Sequence, residues 1–125
     1  MIPPATATRQ WWLMFAGYPK NQNKRGHWAT LARETKKWRL AGWFRAKEMQ
    51  VPPMQRIRVS AVIVRRSIGV ADEGNDRDRL KPIVDGLVDA GVVPNDTYAH
   101  VTYGTMAQRR GPAGLELLIE ELDDE

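Results

Sequence analysis

The sequence contains no cysteine. Disulfides, thiolate metal sites and cysteine nucleophiles are therefore excluded, and an intracellular, cytoplasmic setting is expected. No apolar run approaches the roughly 20 residues needed to cross a bilayer, so no membrane partner is expected. The opening Met1-Ile2-Pro3-Pro4 has neither a basic start nor an apolar stretch, and no signal peptide is expected. Acidic residues are scarce in the body of the chain. Six of the fifteen lie in the last ten residues, Glu116 to Glu125, and all nineteen Lys and Arg precede them. Residues 1–115 thus carry a net charge of +10. A basic body with a short acidic tail suits a polyanion, of which nucleic acid is the commonest. A soluble protein that merely has a basic pI would show the same balance.

What is present reads as one domain over residues 1–125, a length sufficient for one core. Residues 1–9 form an irregular arm and 123–125 an acidic tail. Gln10–Ala16 is a short apolar run, read as a buried strand. Gly17–Gly26 is a loop by its Gly, Pro and Asn content. From His27 to about Met49, Trp28, Leu31, Thr35, Trp38 and Gly42 recur at helical spacing, and Pro52-Pro53 forbid continuation. Met54–Arg66 alternates with Ile57, Val59, Ala61 and Ile63 on one face, which predicts a strand. Leu80, Ile83, Val84 and Leu87 form the stripe of a helix from about Asn75 to Ala90, stopped by Gly91. Pro82 requires that helix either to begin near Asp78 or to kink. His100–Met106 and Leu115–Leu122 are strands, separated by the turn-rich Arg109-Arg110-Gly111-Pro112. The fold class is α+β, with a four-stranded mixed sheet and two main helices.

Four acids, Asp72, Glu73, Asp76 and Asp78, crowd the junction between the long strand and the second helix. Carboxylates so close repel one another unless a cation compensates. Mg²⁺ does this while keeping waters, which leaves room for a phosphate. The plainer alternative is that acids in a first turn complement the helix dipole and pair with Arg77 and Arg79. Asp96 follows in a loop with Pro94 and Asn95, where an aspartate often caps its own turn. Lys81 lies four residues before Asp85, the spacing of an intrahelical ion pair. Its other reading is a cation beside a metal site.

The stretch KPIVDGLVDAGVVPND, Lys81–Asp96, resembles the segment of RusA-type Holliday junction resolvases that runs from a lysine to a catalytic aspartate, with phage-borne members closest. Pro19 to Asn23, His27-Trp28 and the strand RIRVSAVIVRR resemble further parts of that family, so the resemblance spans residues 10 to about 122. It implies a homodimeric, Mg²⁺-dependent endonuclease, tolerant of Mn²⁺, that cleaves branched DNA in recombination and repair. By position, Asp96 matches the downstream catalytic aspartate and Lys81 the lysine. Upstream the family has a D-x-D-N motif. Without a gap, Asp72 takes its first aspartate and Asn75 its asparagine, and Gly74 falls where the second aspartate belongs. A gapped register instead places Asp76 and Asp78 on the two aspartates. Positions 74, 78, 81 and 85 share one helical face, so Asp78 is a candidate replacement for the carboxylate missing at Gly74. The candidate catalytic set is Asp72, Asp78, Asp96 and Lys81, and the candidate metal ligands are Asp72, Asp76, Asp78 and Asp96.

The candidate DNA contacts are Lys20, Lys24 and Arg25 in the first loop; Arg33, Lys36 and Lys37 on the first helix; Arg65 and Arg66 at the strand end; and Arg109 and Arg110 in the last hairpin. Junction enzymes read backbone and shape, so phosphate contacts should dominate. Trp11, Trp28 and Trp38 are expected to pack. Trp43 and Phe44 cannot both face one core, which makes one of them a candidate for a dimer interface. His27 and His100 are read as packing or capping residues. Two rivals stand beside the nuclease: a non-catalytic DNA-binding protein of the same fold that lost a carboxylate at Gly74, and a basic replication or packaging factor with an unrelated partner.

Overall fold

In a computed structural model the chain forms, in order, β1 (Gln10–Ala16), α1 (Trp28–Glu48), β2 (Ile57–Arg65), α2 (Glu73–Asp89), β3 (Val101–Arg110) and β4 (Gly114–Glu121). The structure describes residues 9–19, 28–67 and 73–122, and of residues 73–76 only the backbone. The strands make one mixed sheet in the order β1-β4-β2-β3. Strand β4 runs antiparallel to both β1 and β2, while β2 and β3 are parallel. Parallel neighbours need a crossover rather than a tight turn, and α2 supplies it. This is the α+β domain with a four-stranded mixed sheet and two helices that the hydrophobic patterning predicts.

One connection differs from expectation. β3 and β4 are not a hairpin but lie on either side of β2. Arg109 and Arg110 belong to β3, and only residues 111–113 make the turn. That turn passes the C-terminal end of β2, where the Gly111 N–H donates to the Arg65 carbonyl at 3.0 Å. Alternation reveals which face of a strand is buried, but not which strand lies beside it.

The core lies between the helices and one face of the sheet. Leu13 and Phe15 of β1, Ile57, Val59, Ala61 and Ile63 of β2, and Leu115, Leu117 and Ile119 of β4 are buried there. From α2 come Leu80, Ile83, Val84 and Leu87, the stripe seen in the sequence. Helix α1 contributes mainly Trp38, whose ring meets Phe15 edge-on at 6.1 Å. Trp11 is half-buried against this core, whereas Trp28 is 81% exposed and does not pack as expected. It opens α1 one turn before Leu31, the first partly covered residue of the helix, so it lies at the tip rather than over the sheet.

The helices approach closely at two glycines. A Cβ on Gly42 would lie 2.5 Å from the Ile83 carbonyl oxygen, and one on Gly86 would lie 2.1 Å from that of Arg39. Neither site has room for a side chain, so the two backbones are in contact. Beside this crossing Arg39 grips Asp89 with two hydrogen bonds, at 2.5 and 2.8 Å.

Both helices end in the same way. At α2, Gly91 has φ 81°, its N–H donates to Val88 O, and the Val92 N–H donates to Leu87 O. These are the paired bonds of a Schellman cap. At α1, Gln50 takes the glycine's place with φ 54°, and Gln50 and Val51 donate to Lys47 and Ala46. The chain therefore turns two residues ahead of Pro52. Pro82 lies well inside α2, so the helix does not start near Asp78. Having no N–H, Pro82 leaves the Asp78 carbonyl without its intrahelical donor. No helix among the described residues is long and apolar enough to cross a membrane.

Candidate functional site

The loop between α2 and β3 sets the geometry. The Asn95 side-chain oxygen accepts from the Thr97 N–H at 3.0 Å and from the Thr97 hydroxyl at 2.6 Å. The Thr97 carbonyl then accepts from His100 and Val101, which leads into β3. The turn is thus capped by Asn95 and not by Asp96, and the Asp96 carboxylate is left to point elsewhere. It accepts a hydrogen bond from the Lys81 ammonium. The same ammonium donates to Asp85 at 3.2 Å. Lys81 therefore makes the intrahelical pair expected from its spacing and, in addition, reaches the distant Asp96.

The electrostatics follow from this contact. The hydrogen bond from Lys81 holds the Asp96 carboxyl below its ordinary value, outweighing partial desolvation. The bond to Asp96 in turn raises the Lys81 ammonium, with smaller contributions from Asp85. The site thus sets one ammonium between two carboxyl groups. Lys81 is 55% exposed and Asp96 37%, so solvent screens their attraction and the pair adds little to stability. Holding two carboxylates on one cation at the surface organises charge more than it stabilises the fold.

Beside Asp96 lies a cleft of ≈ 410 Å³, lined also by Arg77, Tyr98, Val101, Thr102 and Tyr103. Burial pushes the Tyr103 hydroxyl up, while Lys81 partly opposes the shift. A larger cleft of ≈ 710 Å³ lies against Pro53, Met54, Val93 and Glu121. Its one carboxylate, Glu121, is already engaged by Arg9 at 2.8 Å. Asp96, the one carboxylate of the smaller cleft, is engaged in the same way by Lys81, so the two clefts differ in their linings, which in the smaller one include two tyrosines and an arginine.

The candidate residues of the sequence are only partly brought together. Lys81 and Asp96 meet. Asp78 is exposed one turn before Lys81 on α2, and among the described residues no hydrogen bond joins it to either. Asp76 lies in the first turns of α2, where only the backbone is described, and Asp72 lies outside the described residues. The described residues hold no group of three carboxylate or imidazole ligands. Asp85, Tyr103 and Arg77 are additions. Asp85 was legible from its spacing to Lys81. Tyr103 carried no such signal, because its proximity depends on how β3 packs against α2.

The candidate DNA contacts separate as well. Lys20, Lys24 and Arg25, like His27, lie outside the described residues. Arg33, Lys36 and Lys37 are exposed on α1. Arg65 is half-buried with its guanidinium over the Tyr18 ring at 5.2 Å, and Arg79 lies over the same ring at 5.9 Å. Arg66 and Arg110 are exposed at the end of the parallel pair. Arg109 forms a forked ion pair with Glu116 across the open sheet face. Its charge is compensated, which makes it a poorer phosphate ligand than its position in the sequence suggested. His100 packs as expected, its Nδ1 lying 2.8 Å from the Gln55 carbonyl. In comparisons with known proteins the chain matches no family model and no curated sequence.

Proposed function

We propose that this chain is a Mg²⁺-dependent endonuclease that cleaves four-way or other branched DNA junctions in recombination and repair. It would act as a cytoplasmic homodimer in a bacterium or a phage-infected host. The observation that carries the reading is the meeting of Lys81, Asp85 and Asp96 beside a cleft, in a chain whose first 115 residues carry +10. The resemblance of Lys81–Asp96 to RusA-type resolvases supports it and names the reaction. Two symmetric cuts in a two-fold substrate call for two identical sites, which makes a two-fold dimer the economical assembly.

The donors present suit a hard divalent cation. Asp85 and Asp96 are oxygen donors that already converge on one positive group, and Mg²⁺ takes one or two protein carboxylates. Asp96 and Asp72 would hold it, with Asp76 or Asp78 in the role that Gly74 leaves vacant, and Mn²⁺ would substitute. When bound, such an ion polarises the phosphodiester and acidifies water. The protein's own part is positional. The Asn95 turn aims Asp96 into the site. Lys81 keeps its proton on Nζ at neutral pH, because Asp96 and Asp85 raise its affinity for it. An ammonium in that place neutralises a phosphate oxygen as charge develops on the leaving group.

A second reading, a DNA-binding protein without catalysis, is favoured by Gly74 and by the fact that Lys81 already engages both Asp85 and Asp96. A synthetic four-way junction titrated with Mg²⁺ or Mn²⁺ separates the two. Paired, symmetric nicks that vanish in Asp96→Asn support the nuclease. Tight junction binding without nicks supports the second reading. If neither branched nor duplex DNA binds at low salt, both fail. Gly74→Asp probes the vacant role: a large gain in cleavage, with Asp78→Ala inert, would show that Asp78 does not fill it.

A further inference from the structure

The outer face of α1 is unlike the rest of the surface. Arg33, Lys36, Leu40, Trp43, Phe44 and Lys47 follow one another at helical spacing on the side away from Trp38, Gly42 and Ala46, the buried residues of the helix. Leu40 is 62% exposed and Phe44 54%, and Trp43 is exposed as well. Apolar side chains displayed this way on a helix that already has a packed face need a reason. The neighbouring charge is mainly positive. Arg33, Lys36 and Lys47 form no ion pair among the described residues, whereas Arg39 is bound to Asp89 and Arg45 to Glu48. Asp89 and Glu48, the carboxylates beside this face, are the partners of those two arginines.

Two shallow apolar clefts flank the Leu40 ridge. One, of ≈ 330 Å³, is lined by Lys36, Arg39, Leu40, Trp43 and Asp89. The other, of ≈ 640 Å³, lies among Phe15, Lys37, Trp38, Leu40 and Phe44. Trp38 closes the second cleft with its ring under the Lys37 ammonium at 5.5 Å, and its buried indole N–H has no hydrogen-bond partner among the described residues.

We infer that this face binds an unpaired DNA strand, with bases stacked on Phe44 and Trp43 and phosphates held by Arg33, Lys36 and Lys47. Rings set among cations are what an unpaired strand needs, because every base offers a π-face and every linkage a negative charge. A duplex hides its base faces and would use the cations alone. A second copy of this chain fits poorly, since a two-fold contact would set these cations against themselves. From Arg33 to Lys47 the face extends about 21 Å along the helix, the reach of a few nucleotides. The choice of DNA over RNA rests on the proposed function; the binding of an unpaired strand does not.

The test is equilibrium binding of the full chain to a labelled oligothymidylate and to a blunt duplex of equal length, at low salt with EDTA present. The expected result is tighter binding of the single strand. Phe44→Ala weakens it by roughly 5- to 150-fold, the range for loss of one stacking platform, and Phe44→Tyr restores it. Lys36→Ala lowers the slope of log affinity against log salt by about 0.7, the value for one phosphate contact on a single strand. Because Phe44 is exposed, the circular dichroism of Phe44→Ala should match wild type. Equal affinity for duplex and single strand overturns the inference, as does single-strand binding unchanged in Phe44→Ala. Tighter binding of oligouridylate than of oligothymidylate also overturns it. So does sedimentation as a dimer that Phe44→Ala converts to monomer, which would give the face to a second copy. Junction nicking with Mg²⁺ is scored separately, so a failed nuclease reading and a failed strand-binding face give different results.

Discussion

The two helices cross at bare backbone yet treat charge in opposite ways. On α2 the exposed cation Lys81 is held between Asp85 and Asp96. On α1 the outward cations Arg33, Lys36 and Lys47 have no partner among the described residues and stand beside exposed aromatic side chains. The first arrangement keeps opposite charges close at a fixed point. The second leaves positive charge open to a polyanion. A basic chain can thus divide its cations between a site and a surface, and net charge alone does not say which is which.

The largest test of that comparison forces the helices apart. Gly86→Ala places a Cβ 2.1 Å from the Arg39 carbonyl oxygen. Backbone cannot yield as a side-chain tip can, so a loss of about 3 kcal/mol is expected in urea unfolding. A midpoint equal to wild type would mean that the helices slide freely past this point. Asp96→Asn addresses the site alone. Nicking should fall by more than about 100-fold, the loss typical when a charge-stabilising group is removed. Its melting temperature should stay near that of wild type, because the ion pair is solvent-screened. Equal loss of stability and activity would make Asp96 structural.

A smaller effect is expected at Asp89, which ties the helices together beside the crossing. The Arg39 hydrogen bonds depress its carboxyl from the ordinary value of 3.8. A depressed carboxyl stabilises the fold above the unfolded-chain value, and that contribution is lost as pH falls through the folded value. Asp89→Asn should therefore melt slightly lower than wild type at neutral pH, and the gap should close in acid. A gap that widened in acid would reverse the assignment. Least of all, Gln50→Gly should raise stability by a few tenths of a kcal/mol, because relief of the positive φ is partly offset by the greater freedom of glycine when unfolded.

Much of the fold was legible one element at a time. β1 begins and ends where its apolar run does, and the Leu80, Ile83, Val84 and Leu87 stripe of α2 is the stripe that is buried. The hairpin reading of β3 and β4 failed because local patterning marks a strand without saying which strand lies beside it. The candidate site was legible in two of its residues, Lys81 and Asp96, but not in their contact. Nothing in the order Pro94-Asn95-Asp96 says which side chain caps the turn and which is left over. Nothing in the local sequence marks Gly86 as the point where the α1 backbone lies against α2.

By itself, then, the sequence determined what is local: which segments are helix or strand, which side of each is apolar, where the helices stop and how the charge is distributed. Those follow from periodicities of a few residues and from the conformational limits of single residues such as Gly91 and the Pro52-Pro53 pair. Only the tertiary structure decided that β2 lies between β3 and β4, that Lys81 answers two carboxylates, and that the aromatic side of α1 is left uncovered. Each of these depends on segments far apart in the chain. Their relative free energies are set by packing and by closing the loops between them, and neither is written in the spacing of neighbouring residues.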